Sequence, residues 1–321
     1  MLFHKFIFYL RSMKKINRKF IIYSLIVVGI ICIIIVIGNS HCSSKSSKPK
    51  AEYVRTDPNK SASGIDTRTE RTNQKELSDG ITADAAIVYN ASTGNAIFEK
   101  NADRREYPAS MTKMMTGILA IESGKINDEI TISKAASDAS YTFLKTGDKL
   151  TMSELLYMLM LSSNNGAAVA LAEYLSTPGE NFAAKMNKKA RAIGMMDTHF
   201  ITPNGMHHND HYSTARDMAK LGAYCMRNPQ FKVYVDTEQH RARWKVPAGK
   251  HYACYNENKL LSLYDGVNGI KTGYTEPAQC CLATSYEKNG KHLVVVVMHS
   301  KRGQFKYHDT TKLLDWAIRR I

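Results

Sequence analysis

The sequence contains no CxxC pair, no zinc-finger spacing, no HExxH helix, no internal repeat and no glycine–aromatic RNA motif. Without paired spacing, its six cysteines (Cys32, Cys42, Cys225, Cys254, Cys280 and Cys281) carry no metal-site pattern, and small unpaired core residues are the expected reading. Without a nucleic-acid motif, the formal net charge of +15 points elsewhere, to an anionic membrane surface or an anionic wall polymer, with no nucleic-acid partner. Acid is scarce where base is dense. Residues 1–20 hold six Lys+Arg and no Asp or Glu, and residues 1–80 hold 14 Lys+Arg against 6 Asp+Glu, more than half of the net charge.

A long apolar run is present once, at residues 20–38 (FIIYSLIVVGIICIIIVIG). A hydrocarbon core of about 30 Å needs roughly 20 helical residues, so this segment is expected to span a membrane. The basic residues 1–19 should stay cytoplasmic and leave the rest of the chain outside. A cleaved signal peptide has a shorter apolar core of about 7–15 residues. Asn39-Ser40-His41 also makes a poor cleavage site, so a retained signal anchor is expected, with a secreted form as the rival. Residues 39–80 are rich in Ser, Lys, Thr, Asn and Asp and read as a flexible linker. Residues 81–321 then form one folded domain.

Within that domain, residues 85–90 and 96–100 around Gly94 predict a β-hairpin. Thr151 and Glu154 form a capping-box pattern ahead of the apolar run LLYMLML. Helices are expected at 165–176 and at 180–193, the latter stopped by Gly194, and a basic amphipathic helix at 310–321. Strands are expected at 267–275 and 292–300. Strands at both ends of a helical middle predict an α+β domain: one antiparallel sheet flanked by helices, with an inserted helical region.

Three short motifs carry chemistry. Ser110-Met111-Thr112-Lys113 leads an apolar helical run, and positions i and i+3 share a helix face, so Lys113 should stand beside Ser110. A hydroxyl becomes a nucleophile when a neighbouring base takes its proton, and a buried lysine near other cations can be that base. Ser163-Asn164-Asn165 offers a hydroxyl and an amide at a helix-to-loop junction. Lys271-Thr272-Gly273, in strand-like sequence, offers a cation and a hydroxyl suited to a carboxylate, and a glycine expected to admit a ligand's backbone. Each motif alone is common. A second Lys145-Thr146-Gly147 precedes Ser163 and reads as an ordinary turn.

In the order SxxK, SxN, KTG the three are a strong signal of penicillin-interacting enzymes. Residues 81–321 resemble the D-alanyl-D-alanine carboxypeptidases, the low-molecular-mass penicillin-binding proteins. The resemblance extends to ASMTKMMT at 109–116, residues 155–173, residues 198–215 and GVNGIKTGYT at 266–275. It departs at Asn164-Asn165-Gly166, where many members place Gly before Asn-Asp, and anchoring common at the C-terminus of that family is expected here at the N-terminus. The resemblance implies a β-lactamase/transpeptidase-like domain acting on peptidoglycan stem peptides and inhibited covalently by β-lactams, with no cofactor. It implies Ser110 as nucleophile, Lys113 as base and Ser163 as proton carrier near Lys271. Lys271 and Thr272 would hold the terminal carboxylate and Asn165 a peptide carbonyl, while Gly273 and Tyr274 border the site. The backbone N–H groups of Ser110 and Tyr274 would form the oxyanion hole.

Other readings carry less. A class A β-lactamase needs a deacylating glutamate, absent from residues 195–204. His199, His207, His208, Asp210 and His211 could suggest a zinc peptidase but lack the helix spacing that chemistry uses, so no metal is expected. An endopeptidase, or a catalytically weak wall-binding module, remains compatible with the same motifs.

Overall fold

The computed structural model describes residues 67–321, with side chains from residue 72 onward. The basic segment 1–19, the apolar run 20–38 and the linker as far as residue 66 lie outside the described residues. Among the described residues no helix is long and apolar enough to cross a membrane.

A helix α1 (Thr67–Asp79) precedes the hairpin β1 (Ala85–Asn90) and β2 (Asn95–Lys100). A 3₁₀ turn (Ala109–Thr112) runs into α2 (Lys113–Glu122), followed by β3 (Glu129–Thr131), α3 (Lys134–Asp138), β4 (Lys149–Thr151) and α4 (Met152–Met160). Helices α5 (Asn165–Leu175), α6 (Phe182–Ala192), α7 (Ala215–Met226) and α8 (Pro229–Asp236) come next. The chain continues with β5 (Gln239–Arg243), β6 (His251–Tyr255), α9 (Leu260–Leu263), β7 (Val267–Thr275), β8 (Gln279–Lys288), β9 (Lys291–Ser300) and α10 (Phe305–Ile318).

Strands β2-β1-β9-β8-β7 form one antiparallel sheet in that order, and β3-β4 and β5-β6 are separate two-stranded ribbons. The expected α+β architecture is therefore present, with the helical region inserted between β2 and β7. The sheet is buried on both faces. Along β9, Val294, Val296 and Met298 enter one core, while Leu293, Val295 and Val297 enter another. A period of two with both faces apolar explains why this strand reads as the unbroken run LVVVVM. On the first face the sheet packs against the helical middle, including Met114, Leu155, Leu171 and Met218. On the second face lie Leu313, Leu314, Trp316 and Ala317 of α10. That helix starts earlier than residue 310, and its apolar side covers the sheet.

Two expectations need correction. Residues 67–79, assigned by composition to the flexible linker, are helical. Lys75 pairs with Asp79 four residues on, and Leu77 packs against the second core. Strand β8 was not foreseen, because QCCLATSYEK lacks both a β-branched run and a clean alternation. Its small side chains Cys280, Cys281, Ala283, Thr284 and Ser285 are nevertheless buried between β7 and β9. The four described cysteines are free and buried. The second Lys-Thr-Gly is a turn, with Asp148 accepting the Lys145 N–H at 2.9 Å and β4 following directly.

Candidate active site

Ser110 sits in the 3₁₀ turn and Lys113 opens α2, so the two are separated by one 3₁₀ repeat, in which i and i+3 eclipse. Lys113 Nζ lies 2.8 Å from Ser110 Oγ. It also donates to Asn165 Oδ1 and to the Asn204 carbonyl, each at 2.8 Å. Lys113 is fully buried. Burial pulls its ammonium well below the usual lysine range, and the Lys271 charge adds to that, with Glu257 opposing. Two of its three partners can only accept. A neutral Lys113 therefore spends its two N–H groups on Asn165 and Asn204, and its lone pair is left aimed at the Ser110 hydroxyl. That is the geometry of a general base beside its nucleophile.

Asn165 reaches Lys113 because α4 ends at Met160 and α5 begins at Asn165, with Ser163 between them at φ 55° and Asn164 capping α5 through Ala167 N. Its amide nitrogen donates to Ser140 Oγ at 3.2 Å and to Met206 Sδ at 3.7 Å, and a thioether is a weak acceptor that a carbonyl can replace. Ala109, immediately before Ser110, also has a left-handed backbone, φ 48°. Such non-glycine residues cost of order 1–3 kcal/mol each and persist where surrounding packing fixes them.

The Asn204 carbonyl is delivered by residues 203–211, a segment held from several sides. Thr116 Oγ1 donates to Pro203 O at 2.6 Å, and Thr112 Oγ1 meets His211 Nε2 at 2.9 Å. Gly205 has φ 80°, and a Cβ there would fall 1.9 Å from Ala109 O. His211 Nδ1 accepts from the N–H groups of Ile201 and Thr202 at 3.0 and 3.2 Å, so its other nitrogen carries the proton toward Thr112. With both ring nitrogens used, His211 is not free to ligate zinc. His199 and His208 likewise bond to the backbone, at Asp210 O and Asp210 N.

Strand β7 forms the opposite wall. A Cβ on Gly273 would meet Pro108 O at 3.0 Å, Ala109 Cβ at 3.2 Å and Met111 N at 3.2 Å. Gly273 thus serves the protein's own packing: its bare Cα lets β7 lie against the turn that carries Ser110. Thr272, Gly273 and Tyr274 border a cleft of about 700 Å³ with Ser110, Ser163 and Asn165. Tyr274 is 61% exposed. Lys271 is buried behind Thr272, its Nζ 3.4 Å from Thr272 Oγ1 and 3.5 Å from Glu257 Oε2. Burial lowers its ammonium too, against the pull of Glu257. Ser163 faces the cleft with no hydrogen bond to Lys271 or Lys113 among the described residues.

Sequence reasoning missed Asn204, Ser140, Glu257 and Lys306. Asn204 acts through its carbonyl, which no side-chain pattern announces. Glu257 and Lys306 line the cleft from outside any motif. Lys271, Lys306, one carboxylate bonded to Thr272, and the Ser110–Lys113 dyad can activate a hydroxyl and hold an anion beside it.

A cleft-lining serine bonded to a buried lysine, at the edge of an antiparallel sheet, defines the class of serine acyl-transfer sites. The family model for D-alanyl-D-alanine carboxypeptidase matches residues 69–302. The D-alanyl-D-alanine carboxypeptidase DacF of Bacillus subtilis is 35% identical over 243 residues, which cover 74% of this chain and 62% of that protein. The D-alanyl-D-alanine carboxypeptidase of Streptomyces sp. strain K15 is 33% identical over 255 residues, covering 74% and 88%. The crystal structure of the Streptomyces K15 DD-transpeptidase superposes with a TM-score of 0.70 at 33% identity, covering 74% of this chain and 98% of that one. This chain belongs to the D-alanyl-D-alanine carboxypeptidase family. It spans less than two thirds of the Bacillus subtilis relative's length.

Proposed function

We propose that this chain is a serine-type D-Ala-D-Ala carboxypeptidase that removes the terminal D-alanine from peptidoglycan stem peptides. The observation that carries this reading is the three-bonded Lys113, whose only proton-bearing partner is Ser110. Ser110 Oγ attacks the carbonyl of the penultimate D-alanine and its proton passes to Lys113 Nζ. The oxyanion is held by the N–H groups of Ser110 and Tyr274, a reading that the close approach of Gly273 to residues 108–111 supports. Losing one such donor typically slows acyl transfer by about 10²–10³. The C–N bond then breaks, and the leaving amine takes its proton by way of Ser163. Water hydrolyses the acyl-enzyme, with Lys113 again as base. Thr272 and Lys271 hold the terminal carboxylate, and a peptide carbonyl replaces the weak acceptor Met206 Sδ on the Asn165 amide. A β-lactam, which presents an acylating carbonyl and a carboxylate in the same arrangement, acylates Ser110 and leaves slowly.

The apolar run 20–38 and its basic flank support a membrane tether with the catalytic domain outside the cytoplasm. The test of the enzymatic reading is release of D-alanine from a peptide ending in D-Ala-D-Ala, with Ser110→Ala as control. Release that vanishes in the variant, together with loss of a penicillin adduct, is expected. Release that survives Ser110→Ala would remove the nucleophile assignment, and no release with no adduct would remove the enzymatic reading.

A further inference from the structure

Glu257 stands where a carboxylate-terminated peptide has to place its charge. Its Oε2 accepts the Thr272 hydroxyl at 2.5 Å and lies 3.5 Å from Lys271 Nζ. Those are the hydroxyl and the cation assigned above to the substrate. The Glu257 side chain is 47% exposed and lines the same cleft as Ser110, so it is part of the wall that a ligand meets.

Its position is set by the backbone. The Glu257 N–H donates to Leu161 O at 3.2 Å, and Tyr307 Oη donates to the Glu257 carbonyl at 2.7 Å. Asn258 next to it donates to Gly269 O at 2.8 Å. The charges facing it are cationic: Lys271 from β7, Lys113 from α2 and Lys306 from α10. Burial pushes the Glu257 carboxyl up, but Lys271 and the Thr272 hydroxyl outweigh it and hold it below the ordinary carboxylate range. It is therefore charged at neutral pH. Two carboxylates do not share one hydroxyl and one ammonium without repulsion.

We propose that Glu257 is a built-in occupant of the anion seat and so a specificity determinant. It opposes leaving residues that carry an α-carboxylate. It shifts selectivity toward peptides whose leaving group has none, such as a terminal amide or an amide to a side-chain amine. The proposal rests on the acyl-enzyme reading above. A purely structural Glu257, present only to balance Lys271, would influence both kinds of substrate alike.

The test compares the full chain with Glu257→Gln on two peptides, one ending in D-Ala-D-Ala with its free carboxylate and the other its C-terminal amide. Glutamine keeps the shape and the bond from Thr272 and removes the charge. The kcat/KM ratio of carboxylate to amide is expected to rise roughly tenfold or more, mainly through KM, the scale of one charge-assisted hydrogen bond. Glu257→Ala should shift the ratio in the same direction, which guards against a fault peculiar to glutamine. A ratio unchanged in both variants, with Ser110 still acylated by penicillin, overturns the role of Glu257 and leaves the acyl-enzyme reading intact. Absence of turnover and of the Ser110 adduct in the unaltered chain overturns the acyl-enzyme reading itself.

Discussion

His211 joins the fold to the site through one imidazole. Thr112 and Lys113 are adjacent, so the Thr112–His211 bond fixes the residue next to the base from 99 positions away. Burial lowers the His211 imidazole to about 4, with the nearby His199, His208 and His207 adding to the effect. In the unfolded chain it titrates at the ordinary value of about 6.5. Between those two values the unfolded state binds a proton that the folded state does not, so stability falls as pH drops through this window. The expected contribution is up to about 3 kcal/mol, complete above pH 6.5 and lost on approaching pH 4. Thermal unfolding followed from pH 7 to 4 should show this slope, and His211→Gln should flatten it while lowering stability at pH 7. An unaltered slope in the variant would assign the effect to other groups. In the sequence His211 belongs to a histidine-rich stretch open to a zinc reading. Its double-sided bonding was not legible there, since its partner is far away in the chain.

At the scale of elements, β7 meets the 3₁₀ turn in a close fit at Gly273. Gly273→Ala places a methyl group 3.0 Å from Pro108 O and 3.2 Å from Met111 N, so strand or turn must give way. Overpacking of this kind costs about 1–3 kcal/mol. The neighbours must give by a few tenths of an ångström, a fraction of the roughly 1 Å misplacement that can cost about 10² in rate. Acylation of Ser110 by a penicillin is expected to slow by roughly severalfold to tenfold while the variant stays folded, and acylation at the original rate would mean that β7 does not position the serine. The Lys271-Thr272-Gly273 motif was legible as a strand beside a groove. The reason for its glycine was not, because the neighbour it accommodates is the other motif. Much of the local structure was readable from short-range signals: the hairpin at Gly94, the Thr151 cap accepting Glu154 N, and the stop at Gly194, φ 80°. Strand β8 escaped because its burial comes from neighbouring strands and not from its own residues.

For the whole molecule, the described domain begins before residue 81. Besides the packing of Leu77, Lys312 Nζ reaches Gly80 O at 3.0 Å. A protein starting at residue 67 is expected to melt a few degrees above one starting at 81, as about 1 kcal/mol would bring in a domain of this size. Equal melting temperatures would return α1 to the linker. The full chain should sediment with membranes and the fragment 67–321 remain in the supernatant; a fragment that sediments equally would move the anchor out of residues 20–38. Fold class and motif residues were legible because they are written in composition, period and spacing. The groups that complete the site were not: a backbone carbonyl and an acid outside every motif acquire meaning only through the fold.

The interlock of Gly205 with Ala109, of Asn204 with Lys113 and of Pro203 with Thr116 ties the nucleophile's turn to a segment about 90 residues further on. Neither half is expected to react alone. Serine reactivity in a population of this protein therefore counts molecules: in a heated or denaturant-treated sample, the remaining rate of labelling by a penicillin measures the fraction fully assembled, with each assembled molecule reacting at its normal speed.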